Sequence, residues 1–339
     1  MPAATCRIPS TDRRSRRPAP VAWPPSRRSA GWRVRKVDLA LLDRLIAASI
    51  GFIPKFMVRR VAWRYVAGEA LDDAVTAVND LASRGCCATF DLLGEFVKES
   101  AQADAALTEY RAVLDRIHAD GLDANISIKL TAFGLLLDEE EAYGRVHQLV
   151  THASTLGNFV RIDMEDSGCT DATLRIYARL RQEGLDNVGL VLQAYLRRTG
   201  ADVEALAGLT PSYRLCKGIY VEPEEVAFKD AEEIRVNYRS VLDAMFAAGS
   251  YVGIATHDPA LVEAGRAVVA ERGLANDRYE FQMLLGVTEG IRAQLVSEGH
   301  RLRVYVPYGR DWHAYCVRRL KENPRIGRYV VLGLFRRGA

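Results

Sequence analysis

Cysteine is scarce: six residues in 339, with Cys86 and Cys87 adjacent and no C-x-x-C anywhere. That is too few for a disulfide scaffold, and the spacing argues against a zinc site. Reduced thiols in a cytoplasmic protein are the expectation, with no metal. Long apolar runs are missing too. The best candidate, Leu45 to Val58, is interrupted by Pro54 and Lys55, so no membrane span is expected. No G-x-G-x-x-G follows any strand candidate, which argues against a Rossmann dinucleotide fold.

Acidic residues are nearly absent from the start of the chain. Residues 1–36 hold nine Arg and one Lys against Asp12 alone, a charge of +9. The whole chain carries only +3, so the remainder stands at −6. The body is therefore mildly acidic, and no nucleic-acid groove is expected through it. The same segment holds six of the twelve prolines and has no apolar period. It reads as a disordered basic arm. A targeting peptide and an anion-binding arm stay open as alternatives, although Pro18, Pro20, Pro24 and Pro25 would break an amphipathic targeting helix.

What is present is a globular pattern. Hydrophobic residues make up 49% and charged residues 26%, enough for a sizeable core. Residues 37–84 read as N-terminal helices, and then short apolar strands alternate with amphipathic helices. The strand candidates are Cys86–Phe90, Asn125–Leu130, Phe159–Met164, Val188–Gln193, Tyr213–Gly218, Tyr251–Thr256, Tyr279–Leu284 and Arg303–Val306. Strict alternation demands a parallel sheet with right-handed crossovers. Eight units favour an α/β fold closed as a (β/α)8 TIM-type barrel over residues 85–325, followed by a tail at 326–339.

In such a barrel the chemistry sits at the C-terminal strand ends. Those ends carry Asp91 with Glu95, Lys129, Asp163 with Glu165, Gln193 with Tyr195, Arg214 and Lys217 with Tyr220, Thr256-His257-Asp258, Gln282 with Leu284, and Tyr305. So many charged groups on one rim mark a polar pocket. Taken singly, Lys129, Asp163 and Arg214 also suit a structural ion-pair network. Gln193, Thr256 and Gln282 suit groups satisfying backbone, and His257 suits a hydrogen-bonded structural histidine.

The last helix pattern is more pointed. Tyr315, Arg318, Arg319 and Glu322 stand at offsets 0, 3, 4 and 7 and share one helical face. A solvated salt-bridged face is one reading. A helix over the barrel mouth gripping a carboxylate with two guanidinium forks is the other.

The strand ends together resemble the proline dehydrogenase family, FAD-dependent barrels that oxidise L-proline. The resemblance runs through Arg64–Glu69, Ala88–Val97, Ser127–Leu135, Arg161–Ser167, Leu192–Arg198, Arg214–Lys229, Ala255–Pro259, Glu280–Gly286 and Val304–Asn323. It implies a short single-function bacterial form. It further implies that Lys129, Arg318 and Arg319 bind the substrate carboxylate, that Tyr315 packs over the proline ring and that Leu284 walls the pocket. Arg214 and Gln193 would meet the flavin ring. Thr256 and His257 would contact FAD, as would the run Cys216, Lys217, Gly218, Tyr220, with Glu322 also on the cofactor side. Asp163 would support the site, and Glu95 would act as a gate pairing with Arg318. Cys216, Ile219 and Val221 depart from the residues commoner in the family.

The chemistry so implied is hydride transfer from proline C5 to flavin N5, giving Δ1-pyrroline-5-carboxylate for a downstream pyrroline-5-carboxylate dehydrogenase. Electrons would pass to a quinone. No base near neutral pKa appears in the set, so water would take the amine proton. The tail segment Tyr329–Phe335, flanked by Arg325, Arg328, Arg336 and Arg337, suits either packing on the barrel or a peripheral contact with the inner face of the cytoplasmic membrane. A Schiff-base aldolase-type barrel using Lys129 or Lys217 is the rival enzyme reading. A scaffold for an anion-binding arm is the rival without catalysis.

Overall fold

The computed structural model describes Arg59, residues 63–313, Tyr315 and Cys316. Eight parallel strands close into a barrel in sequence order. They are β1 (Cys87–Leu92), β2 (Ala124–Ile128), β3 (Val160–Ile162), β4 (Val188–Gln193), β5 (Ser212–Cys216), β6 (Tyr251–Ala255), β7 (Tyr279–Leu284) and β8 (Leu302–Tyr308). The seam is sealed by β1 against β8, in register from Cys87↔Arg303 to Leu92↔Tyr308. The expected (β/α)8 architecture is the one observed.

Helix α1 (Leu71–Ser83) precedes the barrel and packs on β1 and β8. The strands are then linked by α2 (Ser100–Ala119), α3 (Glu139–Thr155), α4 (Ser167–Gln182), α5 (Thr199–Leu206), α6 (Ala231–Ala247), α7 (Pro259–Glu271) and α8 (Glu289–Ser297). Several starts are written in the sequence. Asp138 accepts the Glu141 N–H at 2.8 Å, and Asp230 accepts those of Glu232 and Glu233 at 2.9 and 3.0 Å. Asp258 caps α7 just before Pro259, whose missing N–H costs nothing at a first helical position.

Alternation sorts the strand residues. Phe90, Ile126, Ile128, Ile162, Leu190, Leu215, Ile254 and Phe281 are fully buried in the core. Each such side chain is worth about 1.5–3 kcal/mol. The opposite faces point into the lumen. Hydrogen bonds joining β3 to β8, β3 to β5 and β5 to β7 can only cross the barrel interior. Barrel interiors are usually packed with branched apolar side chains. This one holds Asp91, Lys129, Arg161, Arg214, Glu280, Gln282 and Arg303, all buried. Glycine makes room for two of them: a Cβ on Gly189 would overlap the Arg161 guanidinium, and one on Gly253 would overlap the Gln282 amide.

Residues 1–36, most of 37–70, Arg318, Arg319, Glu322 and the tail at 326–339, for which the sequence raised expectations, lie outside the described residues.

Candidate active site

The C-terminal strand ends bring most of the expected residues together. Lys129, one residue past β2, donates to Asp91 Oδ1 on β1 at 2.6 Å and reaches Tyr305 Oη at 3.4 Å. Burial lowers its pKa, but Asp91 and Asp163 more than offset that and hold the ammonium charged, its pKa raised. Tyr305 Oη donates to Asp163 Oδ2 at 2.7 Å. Asp163 Oδ1 receives Arg214 Nη1 at 2.7 Å. Arg214 Nε donates to Gln282 Oε1, and its guanidinium lies 5.2 Å from the Tyr305 ring centroid. Asp91, Lys129, Tyr305, Asp163 and Arg214 thus form one continuous charged arc around the mouth.

A second group lies beyond β4, β5 and β6. Gln193 Nε2 donates to the carbonyls of Met164 and Glu165 at 3.0 and 3.3 Å. Its Oε1 is buried with no partner among the described residues. Cys216 ends β5 half-buried, its thiol 3.6 Å from the Leu192 carbonyl. Gly218 has φ +107°, and a Cβ there would run into the Tyr195 ring. Lys217 Nζ and Arg235 Nε both bind Asp258 Oδ2, at 2.6 and 2.8 Å. Burial would raise the Asp258 carboxyl, but these two cations outweigh it and hold the pKa down at about 2. Thr256 Oγ1 accepts the Asp258 N–H at 3.1 Å. His257 Nε2 accepts the Leu284 N–H at 2.9 Å, so a neutral ring carries its proton on Nδ1. Tyr220, half-buried, follows in the loop after β5.

The third side is apolar. Tyr315 is buried with Val66, Leu93, Trp312 and Cys316. Burial and then Asp163 push the Tyr305 phenol well above its usual range. Leu284 ends β7 half-buried, and Glu95 is half-buried in the loop after β1. The neighbouring Phe96 has φ +54° and is held by Thr131, whose own N–H is bound by Glu165 at 3.0 Å.

Residues 74–328 match the family described as proline dehydrogenase. The chain belongs to the proline dehydrogenase family. It is 38% identical over 280 residues to proline dehydrogenase of Deinococcus radiodurans, covering 81% of this chain and 90% of that one. It is 36% identical over 286 residues to proline dehydrogenase 1 of Bacillus subtilis subsp. natto, covering 84% and 94%. The crystal structure of proline utilization A (PutA) from Bdellovibrio bacteriovorus, inactivated by N-propargylglycine, superposes with a TM-score of 0.73 at 23% identity. That match covers 78% of this chain and 33% of PutA, so this chain spans about a third of the larger protein.

The expected site set left out Asp91, Tyr305, Gln282, Glu280, Arg303 and Arg235. Asp91, Gln282 and Tyr305 were visible as strand-end residues, and Glu280 and Arg303 stand two residues before Gln282 and Tyr305 on the same strand faces. That spacing of two was the available signal. Arg235 lies on α6 and meets Asp258 only through the fold. Gln282 does not satisfy backbone, as one reading had it; both ends of its amide bind side chains.

Proposed function

We propose that this protein oxidises L-proline to Δ1-pyrroline-5-carboxylate with FAD. The observation that carries the reading is the Lys129 ammonium, kept charged at the barrel mouth beside a braced Arg214. A fixed cation there suits the carboxylate of a small amino acid. The names of the Deinococcus and Bacillus relatives support proline as that amino acid.

The residues present suit FAD. Gln193 Oε1 is a buried acceptor awaiting a donor. The Gly218 backbone can lie where a side chain would be excluded. Lys217 and Arg235 suit the cofactor's anionic groups, and Thr256 and His257 border the same region. When bound, FAD supplies a hydride acceptor.

The chain's own part is binding, orientation and charge. Lys129, with Arg318 and Arg319, clamps the carboxylate, which fixes where C5 points. Holding reactants in this way can contribute about 7 kcal/mol or more. Proline loses a hydride from C5 and a proton from nitrogen, and the C5–N bond becomes double. Water takes the proton. Tyr315 and Leu284 close the apolar side and exclude bulk water, with Glu95 as the gate. Asp163 orients both Arg214 and Tyr305. Arg214 stabilises negative charge that develops on the cofactor side. Electrons then pass to a quinone, and the tail at residues 326–339 supplies a peripheral membrane contact.

A Schiff-base lysine needs a depressed pKa. Lys129 is shifted the other way, and Lys217 is paired to Asp258.

The test is direct. Purified protein with L-proline and an artificial two-electron dye should form Δ1-pyrroline-5-carboxylate, detected by mass, and Lys129→Ala should abolish it at low proline. Dye reduction without that product would refute the reaction assigned.

A further inference from the structure

Gln282 is a buried amide deep in the lumen, and both of its ends are committed. Its Nε2 donates to Glu280 Oε1 at 2.6 Å, and its Oε1 accepts from Arg214 Nε. Glu280 is bound from the other side by Arg303 Nε at 2.8 Å and by Arg301 Nε at 3.3 Å. Although burial opposes it, Arg303 holds the Glu280 carboxyl ionised, down at about 2. An ionised carboxylate only accepts, so it fixes which end of the amide faces it. The other end, an oxygen, must then face Arg214. Arg303 is itself pinned by the Ala88 carbonyl at 2.6 Å. A line of side chains therefore runs from the lower lumen, Arg303 to Glu280 to Gln282, up to the guanidinium at the mouth. Gly253 completes it, because any Cβ there would occupy the space of the Gln282 amide.

We infer that Gln282, oriented by Glu280 and seated on Gly253, is a positioning residue that aims Arg214 at the electron-accepting cofactor. With Nε held by Gln282 and Nη1 by Asp163, Arg214 has one rotational setting. A planar guanidinium anchored on two edges presents its remaining edge in a fixed direction. Without Gln282, the Asp163 contact alone leaves the plane free to turn. The charge would still be in the barrel, but it would no longer be held where it acts. This inference rests on the proposed reading of Arg214 as the cation beside the flavin.

The experiment measures the equilibrium between bound flavin and a two-electron reference dye, in the full-length holoprotein. The variants are Arg214→Met, Gln282→Met and Gly253→Ala. Arg214→Met tests the underlying reading; the other two test the positioning. Gln282→Met keeps the volume and removes both hydrogen bonds, and it should shift the equilibrium toward oxidised flavin by about tenfold, the equivalent of one charge-assisted hydrogen bond. Gly253→Ala leaves Gln282 chemically intact but displaces its amide, and it should shift in the same direction. Both should lower kcat more than they raise KM for proline. If Arg214→Met shifts the equilibrium and Gln282→Met does not, the positioning role is wrong while the flavin reading stands. If Arg214→Met itself leaves the equilibrium at the wild-type value, Arg214 is not beside the flavin and the inference falls with that reading. Should Gln282→Met fail to retain flavin, Gly253→Ala decides: a wild-type equilibrium there overturns the positioning role.

Discussion

Tyr305 Oη donates a hydrogen bond to Asp163 Oδ2 across the lumen, at 2.7 Å, from β8 to the end of β3. Tyr305 Oη also lies 3.4 Å from Lys129 Nζ. One phenol thus links the cation proposed for the substrate carboxylate to the carboxylate that braces Arg214. Tyr305→Phe keeps the ring and removes the link. Leaving a buried acceptor unsatisfied costs about 1–3 kcal/mol, so kcat/KM for proline should fall roughly 5- to 150-fold. Steady-state kinetics read this, and an unchanged kcat/KM would show that the link is idle.

Lys129 and Asp91 make a buried pair, and removing one partner strands the other. Lys129→Met should destabilise the fold by about 3–5 kcal/mol and also weaken proline binding. The double variant Lys129→Met, Asp91→Asn should recover most of the stability and none of the binding. Thermal unfolding and inhibition by a carboxylate analogue lacking the amine separate the two effects. Recovery of both would mean that Lys129 is purely structural.

Glu280 makes stability depend on acid. Its carboxyl sits near 2 in the fold against an ordinary 4.5, so the unfolded chain binds the proton more readily. The stabilisation is fully present above about pH 4.5 and is lost as pH falls toward 2, a contribution on the order of 3 kcal/mol. Glu280→Gln should flatten the unfolding free energy across that window relative to the wild type, as denaturant titrations at stepped pH would show.

Arg318 and Arg319 are adjacent on the helix pattern that begins near Trp312. Arg319→Met should weaken binding of the same carboxylate analogue by roughly 10- to 150-fold, and lysine should rescue only part of it. Arg318→Met should lower turnover as well, if closure with Glu95 excludes water. Wild-type analogue affinity in both variants would move the substrate site elsewhere.

The barrel was legible because short, mainly apolar strand segments alternate eight times with amphipathic helices. The bounds of β4 and β7 agree with the pattern read from the residues. Strand β3 is shorter than its apolar run, because the ladder ends at Ile162 and leaves Asp163 and Met164 to the mouth. Helix α8 starts without a side-chain cap: its N-cap, Thr288, has φ +46° and its hydroxyl does not bind the helix start. At the site, their place at the C-terminal strand ends put Lys129, Asp163 and Arg214 on one rim. It could not say that Asp91 pairs with Lys129, or that Gln282 spans from Glu280 to Arg214. Those contacts depend on the barrel's closure and on Gly253, which carries no side chain to read.

Proline oxidation by a flavin at this mouth is tested most directly by the visible spectrum of the purified protein under anaerobic conditions. Oxidised flavin absorbs near about 370 and 450 nm. Those bands should be present and should bleach on addition of L-proline, with Δ1-pyrroline-5-carboxylate formed in proportion to the flavin reduced. A protein without the bands, or with bands that L-proline leaves unchanged while a chemical reductant bleaches them, would contradict the assignment.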